Sequence, residues 1–262
     1  MNSAVERAIK FICEKYGEPL SLSDVAGSAI LSRFHFCRLF RDATGVTPGR
    51  FLSAVRIYQA KRMLLMTGMN VTEIAFAVGY NSLGSFSNHF TDSVGIPPGR
   101  FRHAARSGGI ELLGPRREPS PASGTVTGTV TLPRGYADVR VYLGAFDTPI
   151  VQRQPASAAL IEVPAADKPV PYSLSGIPGG TWFVRAVAVA DNADPEPWTR
   201  RSLLVGGSGP LAVAPGASIG ARIGLRPRQP TDLPILLALP DLELQPLPPG
   251  VAVSGAAPGR AS

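Results

Sequence analysis

The chain has little of what a covalent or metal framework requires. Two cysteines, Cys13 and Cys37, in 262 residues argue against a disulfide scaffold or a cysteine–zinc site. Three histidines leave no His-rich metal cluster. No apolar run approaches the ~18 residues of a membrane helix. The opening stretch, MNSAVERAIKFICEKYGEPL, is charged throughout, unlike a secretion signal. There is no nucleophile elbow, Walker loop or metal-binding histidine pair. These absences predict a soluble, reduced, cytoplasmic protein that is not an enzyme and needs no cofactor. What is present is a 44% hydrophobic composition, enough for a buried core, and 26 Lys plus Arg against 19 Asp plus Glu. The resulting net charge of +7 permits a polyanionic partner without requiring one.

The sequence changes its grammar midway. Up to about Leu113 it reads as helices: Val5, Ala8, Ile9, Ile12 and Tyr16 follow one helix face, and Gly17 with Pro19 end it. GPRREPSPASG is a polar, Pro-rich linker. Beyond it, TVTGTVTL, DVRVYLGAF, AALIEV, YSLSGI, TWFVRAVAVA, SLLV and SIGARIGL are short β-forming runs separated by turn residues. The expected fold class is two-domain, α then β: an all-α domain over 1–107, a linker over 108–123, an all-β sandwich over 124–228, and a Pro-rich, partly disordered extension over 229–262. Residues 1–114 hold 13 Lys/Arg and 8 Asp/Glu, a balance of +5; residues 115–262 hold 13 and 11, a balance of +2. The helical half is therefore the expected anion binder.

That half repeats itself. GVTPGRF, Gly45 to Phe51, returns as GIPPGRF, Gly95 to Phe101. Upstream, Ser21 with Asp24 and Asn70 with Glu73 are paired capping signals. Ser32 and Ser82 offer a second N-cap in each copy, and the second copy has one more residue in the turn around Gly79. Phe36/Phe40 and Phe86/Phe90 lie four apart on a buried face, and Gly45 and Gly95 suit a left-handed helix end. Each copy is helix, short turn, helix. A connecting helix from Pro48 to Thr67, capped by Thr47, would be about 30 Å long. That is close to one turn of B-DNA, about 34 Å, so one chain can present two reading heads to successive major grooves.

Leu20 to Arg102, LSLSDVAGSAILSRFHFCRLFRDATGVTPGRFLSAVRIYQAKRMLLMTGMNVTEIAFAVGYNSLGSFSNHFTDSVGIPPGRFR, resembles the AraC/XylS family of transcription regulators. The resemblance implies a seven-helix DNA-binding domain, double-stranded DNA as partner and RNA polymerase as a further one. Members commonly place this domain after a sensor; here it comes first, as in the Rob-like arrangement.

On the first recognition helix, Arg33, Phe34, Cys37 and Arg38 face outward, with His35 at the edge. Arginine can fork onto guanine and phenylalanine can press on a thymine methyl. The resemblance also places base contacts at Phe34, Cys37 and Arg38. Helix packing remains open for Phe34 and His35, and a solvated charge for Arg33 and Arg38. In the second copy Ser85, Ser87 and Asn88 are the candidates, and asparagine can read adenine. That copy departs from the family, which usually has arginine at the position of Asn88 and often lysine at Thr91 and Asp92. Arg50, Arg56, Lys61, Arg62, Arg100 and Arg102 are candidate phosphate contacts, with a structural role as an ion-pair partner also open for Arg56.

SGTVTGTVTLP, DVRVYLGAF and YSLSGIPGGTWFVRAVAVADN resemble the carboxypeptidase regulatory-like, transthyretin-like β-sandwiches, which speaks to fold more than function. Asp191, Asp194 and Glu196 form an acidic group that reads as a polar loop, with Ca²⁺ the other possibility. The expected function is a DNA-binding transcription regulator whose β-domain senses an unidentified ligand or binds a partner. The alternatives are an assembly scaffold built on the β-domain, or a DNA-repair enzyme on the same helical platform.

Overall fold

A computed structural model of the chain describes residues 3–107, 122–165, 168–191, 201–229 and 231–238. Most of the Pro-rich linker, the Asp194/Glu196 group and the tail after 238 lie outside the described residues.

Among the described residues seven helices come first: α1 (Ser3–Lys15), α2 (Leu22–Ser28), α3 (Arg33–Thr44), α4 (Pro48–Met66), α5 (Val71–Ala77), α6 (Leu83–Val94) and α7 (Pro98–Ser107). Capping residues set most of their ends. Ser21 with Asp24 opens α2 and Asn70 with Glu73 opens α5, each a reciprocal capping box. Ser82 caps α6 through its side chain, whereas Ser32 sits at the N-cap of α3 without a side-chain bond. Gly45 and Gly95 end α3 and α6 at φ 77° and 95°. The phenylalanines form two matched stacks: Phe36, Phe40 and Phe51 in one unit, and Phe86, Phe90 and Phe101 in the other. The repeated phrase therefore ends in Phe51 and Phe101 because each closes the stack begun by the helix before it.

The two turns differ by one residue, and the backbone shows where. Ile30 N–H bonds Gly27 carbonyl as Gly79 N–H bonds that of Phe76, and Leu31 pairs with Ala26 as Tyr80 does with Ala75. The extra residue is thus Asn81, after Gly79. At the left-handed turn position the second copy uses Gly79, at φ 87°, where a Cβ would also lie 2.9 Å from the Arg56 guanidinium. The first copy places Ile30 there at φ 59°.

Among the described residues eight strands follow: β1 (Ser123–Thr131), β2 (Ala137–Phe146), β3 (Ser157–Ala165), β4 (Val170–Pro178), β5 (Gly180–Asp191), β6 (Arg201–Val213), β7 (Ser218–Gly224) and β8 (Arg226–Pro227). They form a three-stranded sheet, β4-β1-β7, and a five-stranded sheet, β3-β2-β5-β6-β8. Val126, Val130 and Leu174 from the first sheet share a core with Val141, Leu143 and Val184 from the second. The larger sheet is apolar on its outer face as well, where Tyr142, Phe146 and Val187 are buried.

What buries that outer face is the chain after β8. Residues 231–238 form a strap anchored by Asp232, whose carboxylate takes two hydrogen bonds from Arg226 and one from Gln229 N–H. Burial pushes the Asp232 carboxyl up, but those bonds outweigh it and hold the carboxyl below its ordinary range. The strap then alternates. Ile235 and Leu237 join the cluster on the sheet, while Leu236 and Ala238 join the core of the helical domain, together with Ile150. By sequence this stretch opens the Pro-rich, partly disordered extension expected over 229–262. Its apolar run, LPILLALP, was the signal against that for the first part of the extension. The two domains therefore share a core.

The turn difference generates a test. A left-handed backbone costs a non-glycine residue about 1–2 kcal/mol, and glycine's extra unfolded-state freedom costs roughly 0.5–1 kcal/mol. Ile30 is 80% exposed, so little burial is lost with its side chain. Ile30→Gly should stabilise the chain by up to about 1 kcal/mol in denaturant unfolding. A clear loss of stability would show that the isoleucine side chain contributes more than its exposure implies.

Candidate nucleic-acid interface

Each recognition helix presents the face that its buried phenylalanines leave free. On α3, Arg33, Phe34, His35 and Arg38 are exposed, and Cys37 is half-buried. Phe34 is 88% exposed although Phe36, two residues on, is fully buried. The packing alternative for Phe34 and His35 therefore has no partner within the described fold. On α6, Ser85 and Asn88 are exposed and Ser87 is half-buried. Ser85 lies in the first turn, its N–H held by the Ser82 hydroxyl. Arg50 and Arg100 occupy matching exposed positions at the starts of α4 and α7.

The other cationic candidates are engaged inside the fold. Arg56 donates to the carbonyls of Tyr16 and Glu18, at 2.8 and 2.9 Å, at the end of α1. That is the structural role left open for it, though with carbonyls rather than an acid. Arg102 donates to the carbonyls of Leu64 and Met69, flanking the end of α4. Arg7, on α1, does the same for Ala29 at the end of α2. Each places a cation where a helix end leaves carbonyls unpaired and the dipole is negative. Lys61 is 4% exposed; its ammonium donates to Leu237 carbonyl and lies over the Phe101 ring. Arg62 is half-buried beside Gln59. Sequence counting treats these side chains as equal sources of positive field. The fold leaves Arg33, Arg38, Arg41, Arg50 and Arg100 as exposed cations from the two recognition helices and the repeated phrase.

A pair that the sequence reading passed over supports the second unit. Tyr80 hydroxyl lies 2.6 Å from His89 Nδ1. Burial pushes the Tyr80 hydroxyl up to about 12, so it keeps its proton, and the direction of the bond follows the His89 tautomer. The matching positions of the first unit hold Leu31 and Leu39, so the repeat itself, aligned residue by residue, carried the signal. At the other end of α6, Asp92 pairs with Arg153 of the β-domain at 2.7 Å, and Asp147 lies 3.7 Å from the same guanidinium.

Residues 25–104 match the family model described as a helix-turn-helix domain. The chain is 31% identical over 103 residues to the lactose operon transcription activator of Staphylococcus xylosus, covering 39% of this chain and 37% of that one. It is 31% identical over 88 residues to the transposon Tn10 TetD protein of Escherichia coli, covering 34% of this chain and 64% of that one. Among solved structures it is similar to the DNA-binding domain of AdpA in complex with a target DNA, at 30% identity and a TM-score of 0.38, over 39% of this chain and 93% of that one. The chain spans about a third of the length of the first curated relatives it matches, 37%, 30% and 28% of each. Residues 25–104 are thus a helix-turn-helix domain. Among the described residues no helix is long and apolar enough to cross a membrane.

The tyrosine–histidine pair carries a pH prediction. Desolvation lowers the His89 pKa, Asp92 opposes this and Arg153 adds to it. A depressed folded-state pKa means that the unfolded chain binds the proton more readily. Its contribution is therefore fully present above the unfolded histidine value, about 6.5, and is lost as pH falls below it. Unfolding titrations from pH 8 to 5 should show a decline that His89→Leu, the residue of the first unit, lacks. Identical slopes in both proteins would contradict the assignment.

Proposed function

We propose that the chain is a sequence-specific transcription regulator that reads two successive major grooves of double-stranded DNA with α3 and α6. The observation that carries the proposal is the matched pair of outward faces, Arg33/Phe34/Arg38 and Ser85/Asn88, joined by one helix. The 19 residues of α4 span about 28 Å at the standard rise, which suits heads placed one turn of B-DNA apart. The names of the relatives, a transcription activator and a DNA-bound domain, support the same reading.

Within this proposal Arg38 and Arg33 read guanine edges, Phe34 contacts a thymine methyl, and His35 and Cys37 line the groove. Ser85, Ser87 and Asn88 read the second half-site. Arg50 and Arg100, at the starts of α4 and α7, hold phosphates beside each head. Arg56 is withdrawn from the phosphate set because two carbonyls engage it. The protein acts in the cytoplasm alongside RNA polymerase, without catalysis, and the β-domain serves ligand sensing or protein interaction.

The two heads contribute unequally. α3 carries Arg33, Arg38 and Arg41, whereas α6 carries no Lys or Arg, and its Asp92 is acidic. One bidentate arginine–guanine contact is worth about 1–3 kcal/mol of discrimination. Arg38→Ala should cost at least about 1 kcal/mol and relax base preference in one half-site. Asn88→Ala should cost less and affect only the other. Titrating both full-length variants on a selected duplex at several salt concentrations measures this. A chain that shows no salt-sensitive binding would overturn the proposal, and greater damage from Asn88→Ala would overturn the asymmetry.

A further inference from the structure

Both recognition helices end against the same loop of the β-domain, the one that follows β2. Gly45, the C-cap of α3, faces Pro149: a Cβ on it would lie 3.4 Å from the proline ring. Four residues further on, Arg153 N–H donates to the Ser93 carbonyl in the last turn of α6, at 2.8 Å. Its guanidinium also holds Asp92 of that turn.

The loop is stiff. The buried Thr148 hydroxyl accepts from Ile150 N–H and donates to Ile150 carbonyl, and the buried Gln152 amide donates to the same hydroxyl. From β5, Arg185 donates to Pro149 carbonyl at 2.8 Å. The strap closes the contact from the other side. Ala238 N–H donates to Val94 carbonyl at 3.2 Å, and Leu237 lies beside Gly95, the C-cap of α6. An exposed ion pair such as Arg153–Asp92 contributes little alone. The burial of Ile150 and Leu236, each 1% exposed, seats the loop in the helical core, and Pro149 and Arg153 set its contacts with the two helix ends.

We propose that the 147–153 loop is a brace between the two reading heads, so that the β-domain sets the half-site spacing the protein accepts without touching a base. The inference rests on the DNA-binding reading and deepens it. α4 separates the heads, but each head is a short helix pair hinged on a turn. A contact at the C-terminal end of both recognition helices removes that freedom. One inserted base pair moves a half-site by about 3.4 Å and rotates it by about 35°. Unbraced heads can re-angle to follow part of that shift; braced heads cannot.

The test uses the full chain and a duplex selected from random-sequence DNA, compared with the same duplex carrying one or two base pairs inserted between the half-sites. The wild-type chain should lose at least about tenfold in affinity for each insertion. Pro149→Gly/Arg153→Gln removes the two side-chain contacts with the ends of α3 and α6 and leaves the burial of Ile150 and Leu236 intact. Ile150→Ala/Leu236→Ala loosens the core itself. Both variants should bind the selected duplex within about threefold of wild type, yet lose only about threefold or less on insertion. If the core variant fails to fold, the loop variant decides the question, because its two positions lie outside that core. Binding with the wild-type insertion penalty retained would overturn the brace alone. No binding by the wild-type chain to any selected duplex would overturn the DNA-binding reading and the brace with it.

Discussion

The structure depends on the burial of α4 around most of its circumference. Phe51, Ala54, Val55, Ile57, Ala60 and Leu64 are all essentially inaccessible, and they do not fall on one stripe. A helix that is apolar on several sides needs neighbours on several sides. One unit packs on it through Phe51, the other through the stretch that leads to Arg102, and the strap reaches it through Lys61. The central helix is thus spacer, core and docking post together. The distance between the heads follows from its length.

The second constraint is the fate of the cations. Arg7, Arg56 and Arg102 hold helix ends, and Lys61 is buried at the seam between the domains. A guanidinium bonded to two carbonyls has given up much of its capacity for a phosphate. The positive field left for a nucleic acid is smaller than the charge count and concentrated toward the first unit. The short helices α2 and α5, seven residues each, start in capping boxes, and Arg7 bonds the end of α2 as well. Alone, helices of that length are marginal in water.

Most of the helical fold was legible because its signals are local. Capping boxes, the cap glycines and the paired phenylalanines each depend on neighbours within a few residues, and the repeat doubled every one of them. The strand runs were legible for the same reason. The outward faces of α3 and α6 followed once Phe36, Phe40, Phe86 and Phe90 were placed inward. Long-range contacts were not legible. Arg56 meets Tyr16 across 40 positions, and Lys61 meets Leu237 across 176. No spacing rule connects such pairs. The strap was missed for another reason: its flanking prolines suggested a tail, while its alternation serves two different cores and looks uniformly apolar in sequence. Tyr80 and His89 were hidden because their partners in the repeat are leucines.

A methylation-protection footprint on a selected duplex tests the central claim most directly. One bound chain with two heads on α4 should protect guanine N7 in two major-groove patches about 10 base pairs apart on one face of the duplex. Stronger protection is expected in the patch read by α3, at a stoichiometry of one chain per site. A single protected patch, or two patches that appear only with two chains bound, would contradict the account.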